Sequence, residues 1–541
     1  MGDGRTTLPK VLWCVLGAGL LARFALAVSS LPTLITLNIP DDAFYYFKIA
    51  QNIASYHTSS LDGLHPTNGY HPLWMGVLVV LFRILPANAN TVVHFALALQ
   101  AVMDVSTGWF IFLLVREFTV ERRWAVVAAA LYLLNANAVF YQTDGLETAL
   151  STLLAVMSLY FYLPLTNEAA GGWAERAKFA ILSGLAMLAR TDTVFLYALL
   201  FAALAVREWR RARRLDRTIG TGAIAAAFVL PWLIWNYVRF GQVLQVSAVA
   251  VPWLFRQNLQ EPALLAGLNL MRYELVFEWP RLSCMYDGYL ILVPVAACFI
   301  ARPDAKPAVP ERGLGMLGLV WVALFMEVAF HCFIRLYPRP WYSALFFVLN
   351  AVTIAWAAGR IWTLPWARRG VVWALGFIFA FYILTGWATL WGRQYPWQAE
   401  FLRASEWVNT NTPREARIGA FNAGIMSFFA QRTVVNLDGS VNNSAYEALR
   451  ARRLHDYLLA NSISHVADFR WSVENDYKRF WDNGADHIPL AQTACFPEAP
   501  ILWKGSVMQI YKVLKPLQGE SVQVSPGFRG ASKLQGCDET P

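Results

Sequence analysis

A series of long apolar segments dominates this chain and limits what it can fold into. Of the 541 residues, 57% are hydrophobic and only 15% are charged, and the mean hydropathy is +0.39. A membrane-spanning helix needs about 20 mostly apolar residues, so the sequence predicts a polytopic α-helical membrane protein with about 11 transmembrane helices. The predicted spans lie near residues 11–30, 91–115, 124–140, 146–163, 176–190, 192–206, 218–238, 286–301, 313–334, 341–359 and 369–391.

Clusters of arginine and lysine between these segments set the predicted orientation. The longest, REWRRARRLDR, runs from Arg207 to Arg217. Basic loops stay in the cytoplasm, and all of the clusters fall on one side if Leu73 to Leu85, only about 13 residues long, is interfacial or re-entrant rather than spanning. We therefore predict a multi-pass protein of a bacterial inner membrane, in contact with lipid. The same bias explains the net charge of +9, so we expect no nucleic-acid partner.

The chain divides into two predicted domains. Residues 1–392 form the transmembrane domain, which carries a first extracytoplasmic loop at 31–90, and residues 393–541 form an extracytoplasmic α/β domain on the periplasmic or outer side. Strand-like ARIGAF, RTVVNLDG and HVADFRW alternate there with helical FLRASEWVNTNTP and YEALRARRLHDYLLANS. Cys495 and Cys537 fall in this exported part, where they can either pair or stay free.

An acid pair, Asp41 and Asp42, directly follows the first apolar segment. After Pro40 these carboxylates are also a good helix start, because they complement the helix dipole. Carboxylates near lipid are costly, however, which favours a functional role. Adjacent helical side chains diverge by about 100°, so we expect one carboxylate to face the reaction and the other to face a structural or cationic partner.

Two further turns on the same predicted side carry charge. QTDGLETAL places Asp144 and Glu147 between two spans, and ARTD places Arg190 and Asp192 between two others. Each has a purely structural alternative, a tight Asp-Gly turn in the first case and a local ion pair that caps two helices in the second. Because several polar turns converge on the leaflet of the acid pair, we predict one shared cavity.

Cations and aromatic rings supply a predicted phosphate site. An arginine at a helix end can simply extend to lipid headgroups, or it can bind phosphate through its forked guanidinium. Aromatic rings around Arg335 and Arg339 suit a lipid chain or a sugar, which favours phosphate binding there. The phosphate-binding candidates are Arg335, Arg339, Arg239 and Lys48, and the neighbouring pocket candidates are His331, Trp341 and Tyr342.

Two polar stretches add candidates for sugar or acceptor contacts. The first-loop sequence DGLHPTNGYHPLW can line the pocket, or it can be a turn packed on the membrane surface. In the exported domain, VVNLDGSVNN reads as a strand that leads into a turn, with Asp438 and Asn442 as acceptor contacts. The first-loop candidates are His65, Asn68, Tyr70 and His71.

Taken together, these motifs carry a resemblance. The DDAFYYFKIAQNI and DGLHPTNGYHPLW stretches, the GLET and ARTD turns and the exported VVNLDGSVNN are similar to the GT-C superfamily of membrane glycosyltransferases. The chain most resembles the bacterial members that use polyprenyl-phosphate sugars, such as mannosyl-, arabinosyl- and aminoarabinose-transferring enzymes.

The resemblance implies a function and roles for several residues. It implies transfer of a hexosyl or pentosyl group from a polyprenyl-phosphate donor to an envelope glycan, lipid or protein, with inversion at the anomeric carbon. Asp41 and Asp42 match the acidic motif, with Asp42 preferred as general base, and Glu147 occupies the place of a second acid. No cofactor is certain. If a divalent ion such as Mg²⁺ or Ca²⁺ is used, Asp41, Asp144 and Glu147 offer hard oxygen ligands.

A transporter or flippase of lipid-linked sugars is the alternative interpretation. It would also place charges within the membrane domain. The spans show no evident inverted repeat, and the polar residues gather at one leaflet rather than at the midplane, which favours the enzyme.

Overall fold

The computed structural model describes residues 10–85, 88–117, 121–166, 172–273, 311–335, 339–481, 488–496 and 507–514. Within these ranges, long helices precede a small mixed sheet. The helices of the first part are α1 (Lys10–Ala27), α2 (Leu31–Leu37), α3 (Asp41–Tyr56), α4 (Pro72–Ile84), α5 (Ala89–Arg116), α6 (Arg122–Leu133), α7 (Ala136–Gln142), α8 (Thr148–Tyr162), α9 (Trp173–Ala189), α10 (Val194–Ala212), α11 (Asp216–Phe240), α12 (Val246–Asn258), α13 (Ala263–Tyr273), α14 (Glu311–Phe330), α15 (Leu345–Trp362) and α16 (Arg368–Gly392).

The predicted membrane domain is confirmed, whereas its number of spans is not. Among the described residues, seven helices are long and apolar enough to cross a membrane, or eight if the bent pair α6 and α7 counts as one span. That pair bends by 61°, because Asn135 starts α7 anew by accepting the Asn137 amide at 2.9 Å. Helix α9 has only 17 residues, and α10 ends in arginines. The predicted span 286–301 lies outside the described residues.

Helix α4 has 13 residues, shorter than a span requires. It packs beside α3, the helix that begins with the acid pair. Trp74 of α4 is fully buried, and its indole donates to the Gly145 carbonyl at 2.9 Å. Helix α4 is thereby attached to the GLET turn.

The C-terminal part is a five-stranded sheet with helices, as predicted. The strand order is β2-β1-β3-β5-β4; β1 pairs in parallel with β2 and β3, and β5 pairs antiparallel with β3 and β4. The first three strands match the predicted ones, while the last two were not predicted. The elements are β1 (Arg417–Ala420), β2 (Thr433–Asn436), β3 (Ile463–Phe469), β4 (Leu490–Phe496) and β5 (Met508–Val513), with helices α17 (Ala399–Asn411), α18 (Gly424–Phe429), α19 (Asn443–Arg450) and α20 (Leu454–Ala460).

The sheet domain sits directly on α3. Phe44 packs against Phe428 and Phe429, with ring centroids 5.4 and 5.7 Å apart. A β-carbon at Gly424 would come within 2.1 Å of the Asp41 carbonyl oxygen, so only glycine allows this approach. Helix α3 is therefore buried between the two parts of the protein, and its first turn lies at their boundary.

Cys495 is disulfide-bonded in the structure. Cys537, its predicted partner, lies outside the described residues, so the identity of the pair stays a prediction.

Candidate active site

A cavity of about 370 Å³ lies between the membrane helices and the sheet domain. Asp42, Glu147 and Arg335 share its wall, as the prediction of a common pocket requires. The predicted residues that line it are Asp42, His71, Glu147, Arg190, Arg335, Arg339, Trp341, Tyr342 and Asp438. The two charged turns and Asp42 of the acid pair therefore do converge.

Glu147 and Arg190 form the polar floor of this cavity. Arg190 Nη1 donates to Glu147 Oε1 at 2.9 Å, and the same guanidinium forks onto Asp192, with Nε 3.0 Å from Oδ1. His71 Nε2 lies 3.7 Å from Glu147 Oε1. Burial by itself would raise the pKa of Asp192, but the Arg190 charge and the His331 contact lower the pKa below its ordinary value. Burial lowers the pKa of His71, which favours a neutral ring.

A cationic and aromatic wall stands beside this floor. The Tyr342 ring lies between two guanidinium groups, with Arg190 Cζ at 5.0 Å and Arg335 Cζ at 5.3 Å from its centroid. Arg339 Cζ lies 5.5 Å from the Trp341 ring centroid. A guanidinium group above an aromatic face is attracted by the negative charge of the ring face. This wall thus presents positive charge together with flat apolar surface to the cavity.

The two acids of the pair have different environments. Asp41 accepts hydrogen bonds from the backbone amides of Gly424 at 3.1 Å and Ile425 at 2.7 Å, so it caps α18. Asp42 faces the cavity, and within the described part of the chain no group donates a hydrogen bond to its carboxylate. The expected division between a reactive and a structural carboxylate therefore matches the geometry.

Burial raises the pKa of both acids. For Asp41 the pKa rises to about 7, although the two amide donors oppose the shift. For Asp42, burial and the nearby Glu147 charge raise the pKa, while the Arg339 and Arg335 charges lower it. The net shift of Asp42 is upward. A carboxyl of this kind is a better proton acceptor than an exposed aspartate.

The sheet domain closes the cavity with polar side chains. Asp438 lines it, accepts from the Ser440 amide and hydroxyl at 2.7 Å, and has its pKa raised by burial to about 6. Asp476, which also lines the cavity, accepts from the Trp471 indole at 3.1 Å. Further lining residues that the sequence did not single out are Tyr45, Tyr46, Gln245, Asn422, Ser472 and Tyr477.

Comparisons with known proteins agree with this architecture. A family model described as dolichyl-phosphate-mannose-protein mannosyltransferase matches residues 71–235. The solved structure of ArnT from Cupriavidus metallidurans bound to undecaprenyl phosphate is 11% identical, with a TM-score of 0.53 over 94% of this chain and 99% of that chain. The chain shares the fold of this membrane protein. The fold that the motif resemblance implies is thereby confirmed.

A second similar structure is that of the archaeal oligosaccharyltransferase AglB from Archaeoglobus fulgidus, in complex with an inhibitory peptide and a dolichol-phosphate. It is 15% identical, with a TM-score of 0.50 over 92% of this chain and 74% of that chain. A domain of unknown function (DUF8728) matches residues 389–507. The comparison with curated proteins found no match. At these identities the solved structures establish the fold.

Several predicted site residues lie outside the cavity lining. Asp144 accepts from the Leu146 amide at 2.9 Å and the Thr148 hydroxyl at 3.0 Å, so it holds the GLET turn. Asn442 caps α19 through the Ala445 amide at 3.2 Å. These two placements match the structural alternatives for their motifs.

The first-loop candidates other than His71 also lie outside the cavity lining, where their side chains make hydrogen bonds within the fold. His65 bridges Asp62 at 2.6 Å and Asn461 at 3.0 Å. Asn68 donates to Asn236 at 3.1 Å and accepts from the Val246 amide at 3.2 Å. Tyr70 hydrogen-bonds Ser59 at 2.7 Å. These side chains fix the loop against α11, α12 and the sheet domain.

Two cations predicted to bind phosphate are also remote from the cavity lining. Arg239 is exposed at the end of α11. Lys48 donates to Gln51 at 3.3 Å, one turn further along α3. Arg335 and Arg339 thus remain the phosphate candidates that line the cavity.

A group of residues that could hold a metal ion differs from the predicted set. Asp41 and Asp144 are occupied as caps, whereas Asp192, Glu327 and His331 place one ligand atom each within 4.8 Å of one another. His331 Nε2 lies 3.5 Å from Asp192 Oδ2 and 3.9 Å from Glu327 Oε1. Two carboxylates and an imidazole suit Zn²⁺ or Mn²⁺ better than Ca²⁺. This group adjoins a second cavity of about 30 Å³ behind Tyr342.

Proposed function

We propose that this protein transfers a hexosyl or pentosyl group from a polyprenyl-phosphate donor to a hydroxyl group of an extracytoplasmic acceptor. The acceptor is an envelope glycan, lipid or protein, and the cavity faces the periplasm or exterior of a bacterial inner membrane. One observation carries the proposal: the carboxylate of Asp42 and the guanidinium groups of Arg335 and Arg339 line the same cavity.

The cationic wall suits the donor. The phosphate leaves with the electrons of the bond between its oxygen and the anomeric carbon, and Arg335 and Arg339 stabilise the resulting charge. Trp341 and Tyr342 offer apolar faces beside them for the first isoprene units or the sugar ring. No acid is needed to protonate the leaving phosphate.

Asp42 and the sheet domain suit the acceptor. Asp42 takes the proton of the attacking hydroxyl as its oxygen bonds to the anomeric carbon. A single displacement of this kind inverts the anomeric configuration. The raised pKa of Asp42 favours this proton transfer, and the polar groups of the sheet domain, such as Asp438 and Asn422, hold further acceptor hydroxyls.

The similar structures support a polyprenyl-phosphate donor. ArnT was solved with undecaprenyl phosphate, and AglB with a dolichol-phosphate and a peptide. Lipid phosphates are therefore bound by proteins of this fold.

The test uses the purified chain in proteoliposomes with polyprenyl-phosphate sugars labelled in the sugar. Asp42→Asn keeps the shape of the side chain but cannot accept a proton. We expect at least a 100-fold loss of transfer, the usual contribution of a general base, with normal insertion and donor binding. Wild-type turnover by this variant would remove Asp42 as base. Movement of donor across the bilayer without a glycosidic product would favour the flippase.

A further inference from the structure

Another cavity, of about 280 Å³, lies where the ends of three helices meet. It is formed where α9 begins, α10 ends and α11 begins, whereas Arg190 at the other end of α9 lines the active-site cavity. The 17 residues of α9 extend roughly 25 Å. The two cavities therefore lie at opposite ends of α9.

The wall of this distal cavity is strongly cationic. Arginines outnumber acids by five to two in its lining, which contains Arg176, Arg207, Arg211, Arg214 and Arg217 with Glu208 and Asp216. The carboxylate of Glu208 is already used to start α11, because it accepts from the Arg217 amide at 3.1 Å and the Thr218 amide at 2.8 Å. The lining thus has excess positive charge.

Two guanidinium groups lack acceptors for buried N–H donors. Arg176 is only 7% exposed, and its Nε has no hydrogen-bond partner among the described residues. Its Nη1 reaches Thr221 Oγ1 only at 3.4 Å. Arg207 Nη1 is likewise buried without a partner in the described part of the chain. Buried donors of this kind are costly unless an acceptor completes them.

Tryptophans place the distal cavity at the level of the lipid headgroups. Trp173, at the start of α9, is 54% exposed, and Trp209, near the end of α10, is 48% exposed. Exposed tryptophan is enriched at the boundary between membrane and water. A ligand at this level is reached directly from the adjacent leaflet.

We propose that the distal cavity binds the phosphate group of an anionic membrane lipid. Guanidinium groups bind phosphate oxygens through paired hydrogen bonds, and anionic leaflets attract basic clusters. The headgroup supplies the oxygens that Arg176 and Arg207 lack, while its acyl chains remain in the bilayer. This site is independent of the proposed sugar transfer.

The experiment measures thermal stability of the delipidated full chain in detergent. Short-chain phosphatidylglycerol, phosphatidylcholine and inorganic phosphate are titrated separately. We expect phosphatidylglycerol alone to stabilise the protein strongly. Arg207→Gln should raise the phosphatidylglycerol concentration that gives half of the full stabilisation about fivefold to tenfold. Arg210→Gln, which changes an exposed arginine on the same helix outside the cavity lining, should not.

Arg207→Gln carries this test because Arg176 is too buried for a clean substitution. Native mass spectrometry of wild type and Arg207→Gln should show phosphatidylglycerol retained by the wild type alone. Equal responses of the two arginine variants, or stabilisation by phosphatidylcholine to the same extent, would overturn the proposal. If inorganic phosphate stabilised the protein as strongly as phosphatidylglycerol, and this effect depended on Arg207, a lipid would no longer be the source of the bound phosphate.

Discussion

Arg190 Nη1 lies 2.9 Å from Glu147 Oε1, which joins the turn after α9 to the start of α8. Both side chains are almost entirely buried, at 5% and 4% exposure. Because Arg190 also pairs with Asp192 and lies over Tyr342, one guanidinium organises the polar floor and the cationic wall of the active-site cavity.

Arg190→Gln should destabilise the protein and reduce sugar transfer. Removing one member of a buried ion pair leaves an uncompensated charge and costs about 3–5 kcal/mol. The double variant Arg190→Gln with Glu147→Gln should recover part of the lost thermal stability, because less charge is left unpaired. Arg239→Gln, at an exposed arginine, is the control. A single variant as stable as the control would show that the pair contributes little.

Asp41 and Asp42 should respond differently to substitution. Asp41→Ala removes the cap of α18 and should cost about 1–2 kcal/mol, with faster hydrogen exchange at Gly424 and Ile425. Asp42→Ala should leave that exchange unchanged while abolishing transfer. Exchange and transfer assays on both variants test this division. Equal exchange at the two amides in the two variants would contradict it.

The pH dependence of transfer should report the Asp42 environment. A base must be deprotonated, so kcat/KM should fall as pH decreases through the pKa of Asp42, which lies above the ordinary 3.8. The Arg339 charge lowers this pKa, and Arg339→Gln should therefore move the acid limb to higher pH. Profiles of wild type, Arg339→Gln and Arg239→Gln are compared. If the acid limb of Arg339→Gln lay at the same pH as that of the wild type, this coupling would be ruled out.

Asp144 should make stability decrease as pH rises. Burial raises its pKa from 3.8 to about 8, so the native state keeps a proton that the unfolded chain has released. Its contribution is complete below about pH 4 and is lost as pH rises through about 8. Asp144→Asn should reduce the decrease in stability with rising pH. At pH 9 the variant should therefore be more stable relative to the wild type than it is at pH 5. Thermal unfolding of both forms from pH 5 to 9 measures the difference.

The membrane part of the site was largely predictable because local signals place its residues. Charged turns between apolar spans must lie at the membrane surface, which brought Asp42, Glu147 and Arg190 to one leaflet. Arg335 and Arg339 followed from the aromatic residues around them. Prediction was poorer for polar side chains such as Asn442, because a cap and a ligand contact look alike in sequence.

The remaining wall depended on contacts distant in sequence. Asp476 and Tyr477 carry no motif, and they reach the cavity only because the sheet domain folds back over α3. Asp42 was preferred as the base only through the family resemblance; the residues alone could not assign Asp41 to structure and Asp42 to the cavity, since that choice rests on the position of Gly424. The number of spans stays a prediction, because the predicted span 286–301 lies outside the described residues and α9 and α10 are too short or too charged at one end to count as spans.

The hydroxyl of Tyr45 accepts the Ala423 amide at 2.8 Å and donates to the Phe421 carbonyl at 3.2 Å. Tyr45 lies three residues after Asp42 in α3. Its hydroxyl thus joins α3 to the segment that follows β1. A transplant that replaced the sheet domain with that of a relative would disturb the register of these bonds. Substitutions in the segment after β1 therefore have to remain compatible with α3.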